Sequence, residues 1–283
     1  MSDTGKTRIR LFASDLDNTL TDQDGKVSAR TAEIINEVMR QGYLFTFATG
    51  RQASGMWKLR DDIPVNAPVI CSNGGELVDV FTGQVYHRVP VATRAVKAFA
   101  AYCLENRVDF LCRADDYESV NETCVYLPVL KRRQEEARAA GREIQRIVIV
   151  HSPDDPSLEG EFVKLLAWPR NRLEQERLLA FCETLPEAWP TSSIPGLVEL
   201  GPAGYDKGAG LRKLCGMLGV PLEETCVFGD YVNDLSMFEA AGMAVAMENG
   251  DRSVKEKATF VTGKNTENGV AEGILRILTG EFG

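Results

Sequence analysis

Hydrophobic positions fall along this chain in two rhythms. Short runs, I-R-L-F-A-S-D at 9–15, Y-L-F-T-F-A-T-G-R at 43–51 and P-V-I-C-S-N-G-G at 68–75, are apolar on both faces and each stops at polar or glycine residues. Between the first two lies K-V-S-A-R-T-A-E-I-I-N-E-V-M-R-Q-G, in which Ile34, Ile35, Val38 and Met39 make one stripe at helical spacing. Ser28 is placed to cap that helix and Gly42 to end it. A further helix is expected between Gly50 and Pro68. Strands buried on both faces that alternate with helices predict a parallel sheet with helices on both sides. The same rhythm returns in T-C-V-F-G-D (225–230), M-A-V-A-M (243–247) and F-V-T-G (260–263), followed by a last helix near 268–280.

The middle of the chain differs. Helical patterns at T-R-A-V-K-A-F-A-A-Y-C-L-E-N and K-R-R-Q-E-E-A-R-A-A-G-R-E mix with strand-like I-Q-R-I-V-I-V and F-V-K-L-L-A-W, and Pro153, Pro156, Pro169 and Pro190 punctuate them. An inserted α+β domain at 89–191 is therefore expected, dividing one α/β domain into 1–88 and 192–283. The basic helix from Lys131 to Arg142 also carries Glu135 and Glu136, with Glu143 just beyond, and reads as a solvated charged face.

With 283 residues, 44% hydrophobic and 26% charged, the chain can bury a sizeable core. A net charge of −9 argues against a nucleic-acid backbone or an anionic membrane as partner. An anionic substrate would have to be met by a few local cations or a metal. The amino terminus M-S-D-T-G-K-T-R lacks the apolar stretch of a signal peptide, and no run approaches membrane-spanning length, so a cytoplasmic location is expected. The seven cysteines are scattered without a C-x-x-C pair and read as reduced, buried thiols. His87 and His151 read as a hairpin residue and a strand-end residue rather than as catalysts.

Chemistry concentrates just after the strands, where open parallel sheets bind their ligands. The residues there are Asp15 and Asp17, Thr49 and Arg51, Asn73, and then Asp230, Asn233 and Asp234. In an extended strand positions i and i+2 share a face, so Asp15 and Asp17 would crowd two like charges together and need a cation between them. Asp15, Asp17 and Asp230 offer the hard oxygen cage that Mg²⁺ takes. With the Thr49 hydroxyl and Lys207, in G-Y-D-K-G-A-G, the site suits a phosphoryl group attacked in line by a carboxylate. Each piece alone is weak: D-x-D is common at turns, G-D-Y-V-N-D could be an ordinary strand-to-helix loop, and Lys207 could be a surface lysine. Their order and context carry the argument.

Taken together, D-L-D-N-T-L (15–20), A-T-G-R (48–51), S-N-G-G (72–75), Y-D-K-G (205–208) and G-D-Y-V-N-D-L-S-M-F (229–238) resemble the haloacid dehalogenase superfamily. Within it the chain is similar to the Cof-type phosphatases, whose large C2 cap is inserted between the second and third motifs. The resemblance implies a Rossmann-like parallel-sheet core with an inserted α+β cap that sets substrate specificity. It also implies Mg²⁺ dependence and hydrolysis of small phosphate esters through an aspartyl-phosphate. On the same footing, Asp15 would be nucleophile and metal ligand. Asp17 would be general acid and then base, with its backbone carbonyl on the metal. Thr49, the Gly50 amide and Lys207 would hold the phosphoryl group, which Asn233 would contact. Asp230 would complete the metal's protein ligands, and Asp234 would support the metal from nearby. Asn18 stands where Gly is the common residue, and Asn tolerates unusual backbone angles better than most.

The expected partner is a small phosphorylated metabolite, a sugar phosphate first among them. Arg113, Asp115, Asp116 and Tyr117 are candidates for reading it, although an exposed turn explains them equally well. A receiver domain is too short and orders its acidic pair differently. A phosphorylated pump would lack Asp17 and would need membrane spans. A nicotinamide dehydrogenase would need a strand leading into G-x-G-x-x-G. The remaining rival is a catalytically weak binding or regulatory protein on the same fold, against which the intact Asp15–Asp17 pair argues.

Overall fold

The computed structural model describes residues 9–53, 56, 63–141, 145–191 and 196–281. They form two compact units, Met1–His87 with Asp206–Gly283, and Arg88–Tyr205. The first unit opens with β1 (Leu11–Asp15), α1 (Ala29–Arg40), β2 (Leu44–Ala48), β3 (Val69–Cys71), β4 (Glu76–Val78) and β5 (Val85–Arg88). Ser28 caps α1 by accepting the Thr31 amide at 3.0 Å, and Gly42 leaves it with φ 92°. The helix expected between Gly50 and Pro68 falls largely on residues outside those described.

The second unit contains α2 (Thr93–Asn106), β6 (Asp109–Arg113), β7 (Tyr117–Val120), α3 (Leu127–Ala139) and β8 (Arg146–Ile149). It continues with β9 (Lys164–Trp168), α4 (Arg172–Cys182), β10 (Ala188–Thr191) and β11 (Val198–Pro202). Its sheet runs β10-β11-β9-β6-β7-β8. One face packs Phe110, Leu165 and Ala167 with Phe99 of α2 and Leu178 of α4; the other packs Leu111, Val120 and Leu166 with Leu130 of α3. Lys131, Arg132 and Glu135 of α3 are exposed, as a solvated face requires.

The expected boundary at 191 is corrected by β11, which lies antiparallel between β9 and β10. The insertion therefore extends to Tyr205, and the split domain resumes at 206 rather than 192. What hid this strand is Glu199 in the middle of V-E-L-G-P. It is buried, and it is ion-paired to Lys164 of β9 at 2.7 Å. A lone charge breaks a hydrophobic pattern, and its partner 35 positions away is invisible along the sequence.

The first unit then resumes with α5 (Lys207–Leu218), β12 (Thr225–Gly229), α6 (Leu235–Ala240), β13 (Met243–Met247), α7 (Arg252–Lys255), β14 (Phe260–Thr262) and α8 (Gly269–Thr279). Its sheet order is β14-β13-β12-β1-β2-β3-β4-β5, parallel from β14 through β3 and antiparallel between β3 and β4. Strand alternation sends Phe12, Phe45, Val69 and Phe228 to the face covered by α1 and α8. Leu11, Ala13, Ile70 and Val227 go to the face covered by α5 and α6. All seven cysteines are buried and unpaired. Among the described residues no helix is long and apolar enough to cross a membrane.

The chain winds outward from β1 in both directions, so the strand order reverses between β1 and β12. In doubly wound sheets such a reversal opens a crevice at the carboxyl ends of the strands. Helix α5 reaches the sheet there because Gly210 lets it approach closely. A Cβ on Gly210 would lie 2.6 Å from Ile70 Cγ2 and 2.9 Å from Gly74 Cα. Gly210→Ala is expected to push α5 off β3 and cost about 1–3 kcal/mol, seen as a thermal-unfolding midpoint several degrees lower. An unchanged midpoint would show that α5 does not depend on this contact.

Candidate active site

Asp15 is the last residue of β1 and is buried. Lys207 opens α5, whose N-cap Asp206 accepts the Ala209 amide at 2.8 Å, and its ammonium donates to Asp15 Oδ1. The same Nζ donates to Asp234 Oδ1 at 2.6 Å, and the lysine side chain is only 1% exposed. The second oxygen of Asp234, Oδ2, accepts the amides of Asp230 at 2.9 Å and Tyr231 at 3.1 Å. Asp230 in turn accepts the Thr19 hydroxyl on Oδ1 at 2.8 Å. One carboxylate oxygen each from Asp15, Asp230 and Asp234 lie within 4.8 Å of one another.

Asp17 sits apart from this cluster. The strand stops at Asp15, Asn18 takes φ 62°, and the amides of Leu20 and Thr21 fold back onto the Leu16 carbonyl at 3.0 and 2.9 Å. The two-residue alternation therefore does not carry through to Asp17. Its carboxylate is gripped on both oxygens by Arg51, through Nε at 2.9 Å and through Nη2. The Asp17 carboxylate thus turns to Arg51, and the carboxylate oxygens that lie together are those of Asp15, Asp230 and Asp234. Asp15 meets the Lys207 ammonium and Asp17 meets the Arg51 guanidinium.

Beyond β2, Thr49 is buried, its amide bonds Ile70 O at 2.8 Å, and its hydroxyl accepts the Arg51 amide at 3.1 Å. Gly50 faces the carboxamide of Asn73, whose Oδ1 accepts from Asn233 Nδ2 at 3.3 Å. Thr49, Gly50, Asn73 and Asn233 so form a second, uncharged cluster after the strand ends. Sequence reasoning gave Thr19 no role and did not pair Arg51. The threonine of D-L-D-N-T-L and the arginine of A-T-G-R were the available signals.

In the second unit, the polar stretch after β6 is engaged within that unit. Arg113 pairs with Glu118 at 3.1 Å, Asp115 with Arg88 at 3.0 Å and Asp116 with Arg146 at 3.4 Å. The Tyr117 ring meets Phe162 edge-on.

Charge is out of balance in the buried cluster, with three carboxylates to one ammonium. Burial pushes Asp15 well above the usual carboxylate range, against the pull of Lys207 and with Asp234 and Asp230 adding to the rise. Burial likewise lifts Asp230 to about 6, opposed by the Thr19 hydrogen bond and helped by Asp234. Burial works against the charge on Lys207, but Asp15 and Asp234 outweigh it and hold the ammonium protonated. An all-oxygen donor set with surplus negative charge fits a hard divalent cation.

The haloacid dehalogenase-like hydrolase family matches residues 12–274. The chain is 32% identical to the 5-amino-6-(5-phospho-D-ribitylamino)uracil phosphatase YwtE of Bacillus subtilis, over 97% of this chain and 100% of that one. Among solved structures, a haloacid dehalogenase-like hydrolase from Bacteroides thetaiotaomicron superposes with a TM-score of 0.77 at 27% identity, covering 95% of this chain and 100% of the other. The BT1666 phosphatase of the same organism shares the fold with a TM-score of 0.79 at 23% identity, over 98% of both chains. Because these matches span both halves of the split unit and the insertion between them, the chain belongs to the haloacid dehalogenase-like hydrolases and is a phosphatase of the Cof type.

Proposed function

We propose that this phosphatase hydrolyses small phosphorylated metabolites, sugar phosphates foremost, with Mg²⁺ and through an aspartyl-phosphate (acyl phosphate) on Asp15. The observation that carries the reading is the separate housing of two neighbouring carboxylates. Asp15 lies against a buried ammonium, and Asp17, two residues on, is held by a guanidinium. This supports a reading in which Asp15 bonds to phosphorus and Asp17, released from Arg51, handles protons. The relative YwtE, named for a phosphoribitylamino substrate, supports a phosphate carried on a sugar-like chain. We assign the choice among such substrates to the inserted unit. Seven unpaired cysteines suit a reducing compartment, in line with a cytoplasmic enzyme.

In the proposed reaction an Asp15 oxygen attacks phosphorus and the bond from phosphorus to the alcohol oxygen breaks. Asp17 delivers its proton to that departing oxygen. As a carboxylate, Asp17 then takes a proton from water. The water oxygen attacks phosphorus, the bond to Asp15 breaks and inorganic phosphate leaves. Thr49, the Gly50 amide, Lys207 and Asn233 hold the oxygens that do not react. Asp15 and Asp230, with the Asp17 main-chain carbonyl, would hold Mg²⁺. When bound, the ion neutralises both the phosphoryl oxygens and the surplus carboxylate charge. Asp234 has both oxygens engaged already, so its part is to anchor Lys207 and the 230–231 amides.

Asp15→Asn is expected to lower phosphate release from sugar phosphates by a factor on the order of 10³ or more while leaving the melting temperature near wild type. Retention of a tenth of the wild-type rate would sink the mechanism. Asp17→Asn is expected to slow steady turnover by about 10²–10⁴. With p-nitrophenyl phosphate, whose leaving group needs no acid, it should give a burst approaching one equivalent of nitrophenol before the slow phase. A slow phase with no burst would remove the covalent intermediate.

The raised carboxyl groups make a prediction about stability. A carboxyl whose folded pKa exceeds its unfolded value favours the folded state at low pH, and that contribution is lost as pH rises through the folded pKa. Asp230, at about 6 against an ordinary 3.8, defines a window from about pH 4 to 7. In EDTA, Asp230→Asn should therefore gain in melting temperature relative to wild type as pH climbs from about 5 to 7. Adding Mg²⁺ at pH 7 should stabilise wild type and not the variant. A melting-temperature difference that ignores both pH and Mg²⁺ would count against the metal site.

A further inference from the structure

The turn after β3 has an unusual backbone. Ser72, Asn73 and Gly74 take φ values of 52°, 51° and 99°, three left-handed residues in succession, two of them not glycine. Such angles are rare for L-residues and persist only where surrounding contacts impose them. Those contacts tie the turn to the rest of the site. The Ser72 amide donates to Arg51 O at 2.9 Å, and the Asn73 amide donates to Thr49 O at 3.0 Å. The Ser72 hydroxyl donates to Glu76 Oε2 at 2.8 Å. Gly74 packs directly on the carbonyl of Asp206, the residue before Lys207.

The effect is to fold the Asn73 side chain back into the protein, where it is 3% exposed. Its carboxamide fills the space between Gly50 and Asn233. A Cβ on Gly50 would lie 3.2 Å from Asn73 Oδ1 and 3.3 Å from its Nδ2, and Oδ1 accepts from Asn233 Nδ2 at 3.3 Å. An Asn side chain has two N–H groups. With one of them engaged by Asn73, the plane of the Asn233 amide is set and the second N–H can be held toward a phosphoryl oxygen.

We infer that Asn73 is a positioning residue for phosphoryl binding, acting through the Asn233 amide and the Gly50 main chain. The inference rests on the phosphatase reading above and deepens it. A residue needed only for the turn would behave differently, because glycine adopts the same φ without strain. Asn73→Gly thus keeps the backbone and deletes the amide.

The test compares wild type, Asn73→Gly, Asn233→Ala and the double variant in kcat/KM for p-nitrophenyl phosphate with Mg²⁺, each checked for a melting temperature near wild type. Each single variant is expected to lose about 10- to 100-fold, since one hydrogen bond to a charged group is involved. The double variant should fall little below Asn233→Ala, because the two residues act as one unit. Asn73→Gly within twofold of wild type, or losses that multiply in the double variant, would overturn the inference. The thermal upshift given by orthovanadate on the same four proteins supplies the comparison without turnover. Loss of the upshift in Asn73→Gly supports the inference and its full retention refutes it. Whether wild type releases phosphate at all reports on the phosphatase reading alone.

Discussion

One buried ammonium organises the first unit. Lys207 Nζ lies inside the protein with Asp15 and Asp234 as its direct partners. A charge removed from water is tolerable only where opposite charges and hydrogen bonds surround it. That demand dictates much of the local architecture. Helix α5 has to start at the carboxyl end of the sheet, so it is capped by Asp206 and brought close by Gly210. Asp234 must be fixed as well, and the amides of Asp230 and Tyr231 fix it. Asp15, Asp230 and Asp234 set three carboxylates against one ammonium, an imbalance that suits a cation.

The division of labour between Asp15 and Asp17 follows from a single backbone event. Had the strand continued, both carboxylates would share a face and compete for the same counter-charge. Instead the chain turns at Asn18, with φ 62°, and delivers Asp17 to Arg51. Two residues of the same type, one position removed from adjacency, end in environments that differ in burial and in partner. Two carboxylates are thereby given different surroundings by the backbone alone.

Much of this is legible in the sequence where local pattern governs. Each site residue of the first unit follows a hydrophobic run or opens a helix, so the ends of those runs are enough to locate Asp15, Thr49, Asn73 and Asp230. Ser28 and Gly42 bound α1 by capping chemistry that needs no distant partner. What escapes depends on contacts between remote residues. Glu199 conceals β11 because Lys164 supplies its compensation from another strand. That the Asp17 carboxylate meets Arg51 while Asp234 lies with Asp15 and Asp230 hinges on where β1 stops. The left-handed run at 72–74 is signalled by S-N-G-G only as a turn, because its angles are imposed by bonds to residues 49 and 51.

The split of the first unit has a consequence for the order in which the protein is made. β1 lies between β2 and β12, and Lys207 meets Asp15 across 192 residues while Thr19 meets Asp230 across 211. On the ribosome, β1, β2 and β3 emerge with their carboxylates long before the lysine that offsets them. All the strands of the Arg88–Tyr205 sheet, by contrast, emerge without a gap. A nascent chain released before Lys207 would carry a complete insertion and leave bare the β1 edge that β12 covers in the whole protein, the kind of edge that pairs with other chains. The Asp15, Lys207, Asp230 and Asp234 cluster can therefore close only after the whole insertion has been made.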